Sequence, residues 1–185
     1  MERTGVQKLA HILKILVTIT FVCNLIALIM VPGLVHISLQ QGLAAWWDYD
    51  IDDTLHMLLI GGWSLLGFNG PYADVLSGFL LFCGGCMAVI LWQGRRVLNT
   101  ILKATPFCME NRLNLFRAGV CCFLISAAAL IRVIWRLCYD QSMAPLFSYN
   151  ALFVPLFFLG GLLCLVMSAL FRQAAEMKAE NDLTI

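Results

Sequence analysis

The stretch Ile15–Val35, reading ILVTITFVCNLIALIMVPGLV, contains no charged residue in 21 positions. A helix needs about 20 predominantly apolar residues to cross the roughly 30 Å hydrocarbon core of a bilayer. The stretch therefore predicts a first membrane span at residues 15–35. It follows Arg3, Lys8 and Lys14 and is too long for the apolar part of a signal peptide, so we interpret it as a retained anchor.

The composition of the whole chain is that of an integral membrane protein. Of its 185 residues, 61% are hydrophobic and 12% are charged, and the mean hydropathy is +0.86. About a quarter of the residues in a soluble domain are charged. The net charge is only +1 and no basic tract is present. Direct nucleic-acid binding, which depends on neutralising many phosphates, is therefore not expected.

Three further long apolar runs follow the first. They predict a second span at 72–92, a third at 118–139 and a fourth at 151–171. Small residues within the runs, such as Gly84 and Ala128, permit close approach of the helices. We therefore predict a single integral membrane domain over residues 1–185, with an all-α fold in which four transmembrane helices form a bundle.

The charges on the connections predict the orientation of this bundle. The loop 36–71 carries four aspartates and no Lys or Arg, whereas the loop 95–117 holds five basic residues against the single acid Glu110. Cytoplasmic loops carry an excess of Lys and Arg. We therefore predict that both termini, the loop 95–117 and the tail 172–185 are cytoplasmic, and that 36–71 is a long outer loop. This is the topology of a multi-pass protein of the bacterial inner membrane.

The outer loop contains an apolar segment and an acidic segment. Leu55–Phe68 is too short and too rich in glycine to span, so we predict a lid lying in the outer interface. The acidic segment DYDIDD at 48–53 lacks the glycine and the distal glutamate of an EF-hand calcium loop. The three histidines are scattered without ligand spacing. We therefore predict no metal site and no cofactor.

Two short motifs carry a resemblance to a known family. P-F-x-x-E-N occupies Pro106–Asn111, before the third span, and F-R-x-x-A-x-x-x-x-E-N-D-L-T-I occupies Phe171–Ile185, after the fourth. With these motifs the chain resembles the domain of unknown function 2975 family of bacterial membrane proteins. The resemblance implies a four-span inner-membrane protein with no established catalytic activity. It also implies a regulatory pairing, because members often neighbour a small helix-turn-helix regulator.

The predicted topology places both motifs on the cytoplasmic side. Arg112, near the start of the third helix, could meet Glu180 or Asp182 at the end of the fourth. One interpretation is that these residues only dock the tail beneath the bundle, and the other is that they form a recognition surface for a cytoplasmic partner. The residues of this candidate surface are Pro106, Phe107, Glu110, Asn111, Arg112, Arg172, Glu176, Glu180, Asn181, Asp182 and Leu183.

A second candidate site lies at the predicted outer end. Arg132 falls inside the third span, where an arginine costs at least ~2.5 kcal/mol and usually faces a partner or a watery cavity. With Arg136, Asp74 and Asp140 it would form an outward-facing pocket for a small anionic or peptide ligand. The alternative is that Arg136 snorkels to the interface while Arg132 makes a structural ion pair.

The pair Cys83 and Cys86 has the C-x-x-C spacing of dithiol oxidoreductases. Cys83 would lie roughly 16 Å below the outer surface, where a thiolate is disfavoured, so packing is the favoured interpretation. The sequence favours a regulatory or sensory partner of a cytoplasmic protein such as a helix-turn-helix regulator. The alternatives are ligand binding or transport at Arg132 and thiol redox chemistry at the cysteine pair. No catalytic residue is assigned, an enzyme is the less favoured class, and homo-oligomerisation is left open.

Overall fold

The computed structural model describes residues 5–40, 51–68, 70–103, 105, 107–141 and 143–183, and the regular structure in these ranges is entirely helical. The elements are α1 (Gly5–Gln40), α2 (Ile51–His56), a π-helical turn (Met57–Gly61), α3 (Gly62–Ser64), α4 (Pro71–Leu102), α5 (Met109–Asp140), a 3-10 turn (Ala144–Phe147) and α6 (Tyr149–Leu183). Four of these helices, α1, α4, α5 and α6, are long and apolar enough to cross a membrane. The predicted all-α class with four spans is confirmed, and the protein is a multi-pass membrane protein.

Each long helix extends beyond the span predicted for it. The four contain 32 to 36 residues, which corresponds to about 48–54 Å of helix. A hydrocarbon core is only about 30 Å thick, so part of every helix stands outside it. The predicted spans covered the most apolar part of each helix, and the extra turns are richer in charged residues, as in the stretch of α4 after Trp92 and of α6 after Phe171.

The chain divides into two compact units, one made of residues 1–22 and 86–185 and the other of residues 23–85. In the larger unit, α5 is the most enclosed helix, since 44% of its most apolar stretch is buried compared with 11% for that of α6. The exposed apolar side chains of α6 are those that a bilayer would cover.

The hairpin of α5 and α6 packs through small residues. A methyl group on Gly119 would lie 3.2 Å from Cβ of Cys164, and one on Gly161 would touch the ring of Phe123 at 3.0 Å. Without side chains at these two positions the helices approach closely. In a bilayer no hydrophobic effect drives helices together, so close packing through small residues is a main source of their association. The Ser126 hydroxyl also donates to the carbonyl of Val154 at 2.8 Å.

In the smaller unit, the segment 51–64 packs directly on α1 by backbone contact. A methyl group on Gly62 would overlap the backbone nitrogen of Gly33, and one on Gly33 would lie 2.5 Å from Cα of Leu58. No side chain larger than hydrogen fits at either position without moving backbone. Gly62, one of the glycines that argued against a span in Leu55–Phe68, thus forms the contact with Gly33 of α1.

A proline in α1 accompanies this docking contact. Pro32 lies inside the helix and is fully buried, and its ring removes one backbone hydrogen bond and crowds the preceding turn. The carbonyl of Ile29, in that turn, accepts a hydrogen bond from the Trp63 indole at 2.8 Å. The position of the segment as a lid in the outer interface stays a prediction, and the preceding residues 41–50 lie outside the described part of the chain.

Candidate functional site

The basal end, which we define as the end of the larger unit that carries the connection between α4 and α5, contains a buried chain of hydrogen bonds. Asn111 is 0% exposed. Its side-chain nitrogen donates to the hydroxyl of Thr100 at 2.6 Å, and that hydroxyl donates to the carbonyl of Val97 at 2.7 Å. A buried amide is stable only when it is hydrogen-bonded in this way. Asn111, predicted to belong to a partner surface, therefore joins α5 to α4 from the inside.

Two more buried amides accompany Asn111. Asn114 on α5 is 1% exposed and Gln93 on α4 is 6% exposed. Cys86 on α4 lies beside Cys121 on α5. Gln93 follows Cys86 by seven residues and Asn114 precedes Cys121 by seven residues, which is about two helical turns in each case. The two amides therefore lie opposite one another. Neither amide was selected from the sequence. A signal was present, since Asn111, Asn114 and Ala118 recur at helical spacing on one face of α5.

An ion pair closes the same interface at the surface. The Arg96 guanidinium donates to the Glu110 carboxylate at 2.8 Å, with the two side chains 43% and 54% exposed. Glu110 lies in the first turn of α5, where a negative charge interacts favourably with the helix dipole. Because the pair is exposed, we expect it to contribute little to the stability of the fold and mainly to orient the two side chains.

The two sequence motifs meet at Phe107 and Phe171. Their ring centroids are 5.8 Å apart, and one turn before Phe171 on α6 the Ser168 hydroxyl donates to the carbonyl of Arg112 at 2.9 Å. The structure thus brings Phe107 of the first motif and Phe171 of the second together. Arg172, next to Phe171, bonds within its own helix to Glu176 at 2.7 Å.

Beyond Phe171, α6 continues to Leu183 as a single helix. These twelve residues correspond to about 18 Å, and they extend past the start of α5. Arg112 is level with Ser168, so Glu180 lies about 18 Å farther along the axis and is not brought to it. The side chains of Asp182 and Leu183, and the whole of Pro106, lie outside the described part of the structure.

The four residues predicted to form an outer pocket have separate local contacts. Arg132 is 7% exposed and donates to the side-chain oxygen of Asn150 at 3.3 Å. Arg136 pairs with Asp140, one turn away, at 3.2 Å. Asp74 accepts the backbone N–H of Gly67 at 3.0 Å within the smaller unit. The arginine inside the span is therefore stabilised by an amide on α6, a partner that sequence reasoning did not select.

The cysteines are free thiols at all eight positions. Cys83 and Cys86 lie on successive turns of α4, and the side chain of Cys86 contacts Cys121 on α5. A second contact joins Cys122 to Cys164 on α6. Within the described residues, no group of three or more His, Cys, Asp or Glu side chains is arranged to hold a metal ion.

A family model described as "Protein of unknown function (DUF2975)" matches residues 12–185. The chain belongs to this family. The match runs through all four long helices and both motifs. It confirms the resemblance drawn from the motifs.

Comparison with curated proteins gives a more distant similarity. The DUF2975 chain is 26% identical over 143 residues to "Undecaprenyl-diphosphatase 2" of Clostridioides difficile (strain 630), a match that covers 75% of this chain and 47% of that protein. The chain thus spans about half the length of the curated relative it matches. No solved structure matches the chain.

The described geometry of the basal end is a set of interhelical contacts from which one helix extends. The Asn111 side chain joins α5 to α4, and Ser168 and Phe171 contact the start of α5 from α6. The exposed residues of the second motif follow directly on a part of α6 that is held by these contacts. Such an arrangement suits binding of another macromolecule, because a preorganised surface loses little conformational entropy when it binds.

Proposed function

We propose that this DUF2975 chain is a regulatory protein of the bacterial inner membrane whose basal surface docks a cytoplasmic protein, with a small helix-turn-helix transcription regulator as the partner. The observation that carries the proposal is the continuation of α6 for about 18 Å past the start of α5. The basal surface consists of the exposed residues Phe107, Met109, Glu110, Arg172, Glu176, Met177, Lys178, Glu180 and Asn181.

Apolar side chains stand among the charges of this surface. Phe107 is 52% exposed, Met109 is 46% exposed and Met177 is 60% exposed. Glu110 follows Met109, and charged residues flank Met177 on both sides, so these two methionines lie where a helix leaves the apolar core. Methionine and aromatic residues are enriched in the buried centres of protein interfaces, and methionine adapts its shape to a partner. These three side chains are the expected anchors for a bound protein.

The orientation follows from the distribution of basic residues. Arg95, Arg96 and Lys103 lie on the last turns of α4 or directly after them, and Arg112 and Arg117 lie on the first turns of α5. An excess of Lys and Arg near the ends of spans is retained on the cytoplasmic side. The proposal therefore assigns the basal end, and the projecting part of α6, to the cytoplasm.

The class of partner comes from the family resemblance, which implies a small helix-turn-helix regulator. Holding such a regulator at the membrane would lower its concentration at its operators, and a signal that releases it would restore binding. The name of the Clostridioides difficile protein describes a diphosphatase. This chain matches only about half the length of that protein, and the proposal does not transfer that activity to this chain.

Capture of the regulator by the full chain tests the proposal. The chain, purified in nanodiscs, is expected to bind the helix-turn-helix protein encoded beside it, and deletion of residues 177–185 should weaken binding at least about tenfold, because interface anchors typically contribute more than 1 kcal/mol each. The matched control is Phe147→Ala, which alters a 92% exposed side chain at the opposite end of α5. Equal capture by the full chain and the shortened chain would refute the role of the basal surface.

A further inference from the structure

One cationic side chain lies on a surface of α5 that is otherwise apolar. Arg117 is exposed, and its neighbours on the same face of the helix are exposed hydrophobic residues. These neighbours are Leu113 (47% exposed), Phe116 (50%), Val120 (39%) and Leu124 (45%). A contiguous apolar stripe on a spanning helix is the surface that lipid chains cover, so Arg117 stands within a lipid-facing surface.

The contacts of α5 with its neighbours fix how deep Arg117 lies. It falls between Gly119, which packs beside Cys164, and Arg112, whose carbonyl bonds to Ser168. The apolar run of α6 continues from these positions to Phe171. Arg117 is therefore roughly 5–10 Å inside the apolar zone, measured along α6 from Phe171.

An aromatic side chain on α4 lies at nearly the same level. The register that brings Cys86 beside Cys121 places Trp92 opposite residue 115, which is about 3 Å from Arg117 along the helix. Trp92 is 48% exposed, and the Arg95 guanidinium lies over its ring at 6.0 Å from the centroid. Tryptophan is enriched where lipid chains meet headgroups. Arg117 is thus close enough to the headgroups for its long side chain to reach them.

Within the described residues, Arg117 has no hydrogen bond, ion pair or ring contact. An arginine in a lipid-facing surface is costly unless its charge is compensated, and the guanidinium fork matches the oxygens of a phosphate. We propose that Arg117 binds the phosphate of an anionic phospholipid headgroup in the leaflet at the basal end. This lipid site goes beyond the proposed docking function and does not depend on which protein docks.

A thermal-unfolding measurement on the full chain tests the site. The purified protein in a neutral detergent would receive phosphatidylglycerol, phosphatidylcholine with the same acyl chains, or inorganic phosphate. We expect phosphatidylglycerol to raise the unfolding temperature more than phosphatidylcholine does, because net negative charge favours the guanidinium. Inorganic phosphate should give no comparable shift, since it lacks the chains that bind to the apolar stripe.

Three variants locate the response. Arg117→Gln should lose at least half of the shift given by phosphatidylglycerol, Arg117→Lys should keep more of it than Arg117→Gln, and Arg172→Gln, which removes a charge at the same end, should keep it fully. Removing Arg117 is not expected to prevent folding, because it takes a charge out of an apolar surface. The proposal is overturned if Arg117→Gln responds like Arg172→Gln, if the lysine variant responds no better than the glutamine variant, or if phosphatidylcholine or inorganic phosphate matches phosphatidylglycerol.

Discussion

Alanine in place of Gly62 is expected to detach the segment 51–64 from α1 and to destabilise the folded protein by on the order of 2–3 kcal/mol or more. The added methyl group would overlap the backbone nitrogen and Cα of Gly33. Both atoms belong to the backbone of a long helix, so neither can move aside as the end of a flexible side chain can. The strain must move the segment 51–64 away from α1. The hydrogen bond from Trp63 to Ile29 would then be broken.

Thermal unfolding of the purified full chain, with Gly85→Ala as the matched control, measures this effect. Gly85 lies in a helix of the same unit, and a methyl group there meets no atom within 4 Å. Alanine at this position should be neutral or stabilise by up to about 1 kcal/mol, because it has the higher helix propensity. If Gly62→Ala unfolded at the same temperature as Gly85→Ala, the close backbone contact would be wrong.

Aspartate in place of Asn111 should destabilise the basal end by roughly 3–5 kcal/mol at neutral pH, as when a buried charge is left uncompensated. The side chain keeps its shape but loses its donor, so a carboxylate oxygen would face the hydroxyl oxygen of Thr100. That hydroxyl already donates to Val97. The new charge would also be completely buried, since Asn111 is 0% exposed.

Glu110→Gln is the control for this substitution because it changes one charge at the neighbouring position. The pair of Glu110 with Arg96 is about half exposed, and exposed ion pairs contribute only about 0–1 kcal/mol. Denaturant unfolding of both variants in the same detergent should therefore separate them clearly. Equal losses of stability in the two variants would show that Asn111 is not an internal link between α4 and α5.

The helices could be predicted from the sequence because their cause is local. An uncharged run long enough to cross the hydrocarbon core must satisfy its own backbone hydrogen bonds, and a helix does so within the run. Ile15–Val35 and its three counterparts needed no knowledge of neighbouring elements. The continuation of α4 past Trp92 could also be predicted, because Val97, Leu98, Ile101 and Leu102 recur at helical spacing.

The contacts between helices were less predictable because they depend on register. Gly61 and Gly62 argued correctly against a span, yet nothing in the sequence pairs Gly62 with Gly33. Asn111 was expected on a surface because asparagine follows a proline-phenylalanine motif there, and its burial became evident only when Thr100 was placed opposite it. Arg132 likewise bonds to Asn150, a neutral residue that a search for opposite charges does not select.

The arrangement of the two motifs at the proposed partner surface also depends on contacts between helices. Phe107 of the first motif contacts Phe171 of the second. The acidic end of the second motif does not fold back towards Arg112, because α6 continues without interruption to Leu183. The projection therefore replaces a docked tail as the physical basis for partner binding.

The side of the membrane that the basal end faces is the most direct test of this account. Native Cys108, next to the start of α5, lies at the basal end, and Phe147→Cys places a thiol on a 92% exposed position at the opposite end. A membrane-impermeant maleimide added to intact spheroplasts should label the Phe147→Cys chain beyond the wild-type level. The signal from Cys108, measured as the difference between wild type and Cys108→Ser, should appear only after permeabilisation. Labelling of Cys108 in intact spheroplasts would place the basal surface outside and contradict the proposed docking of a cytoplasmic protein.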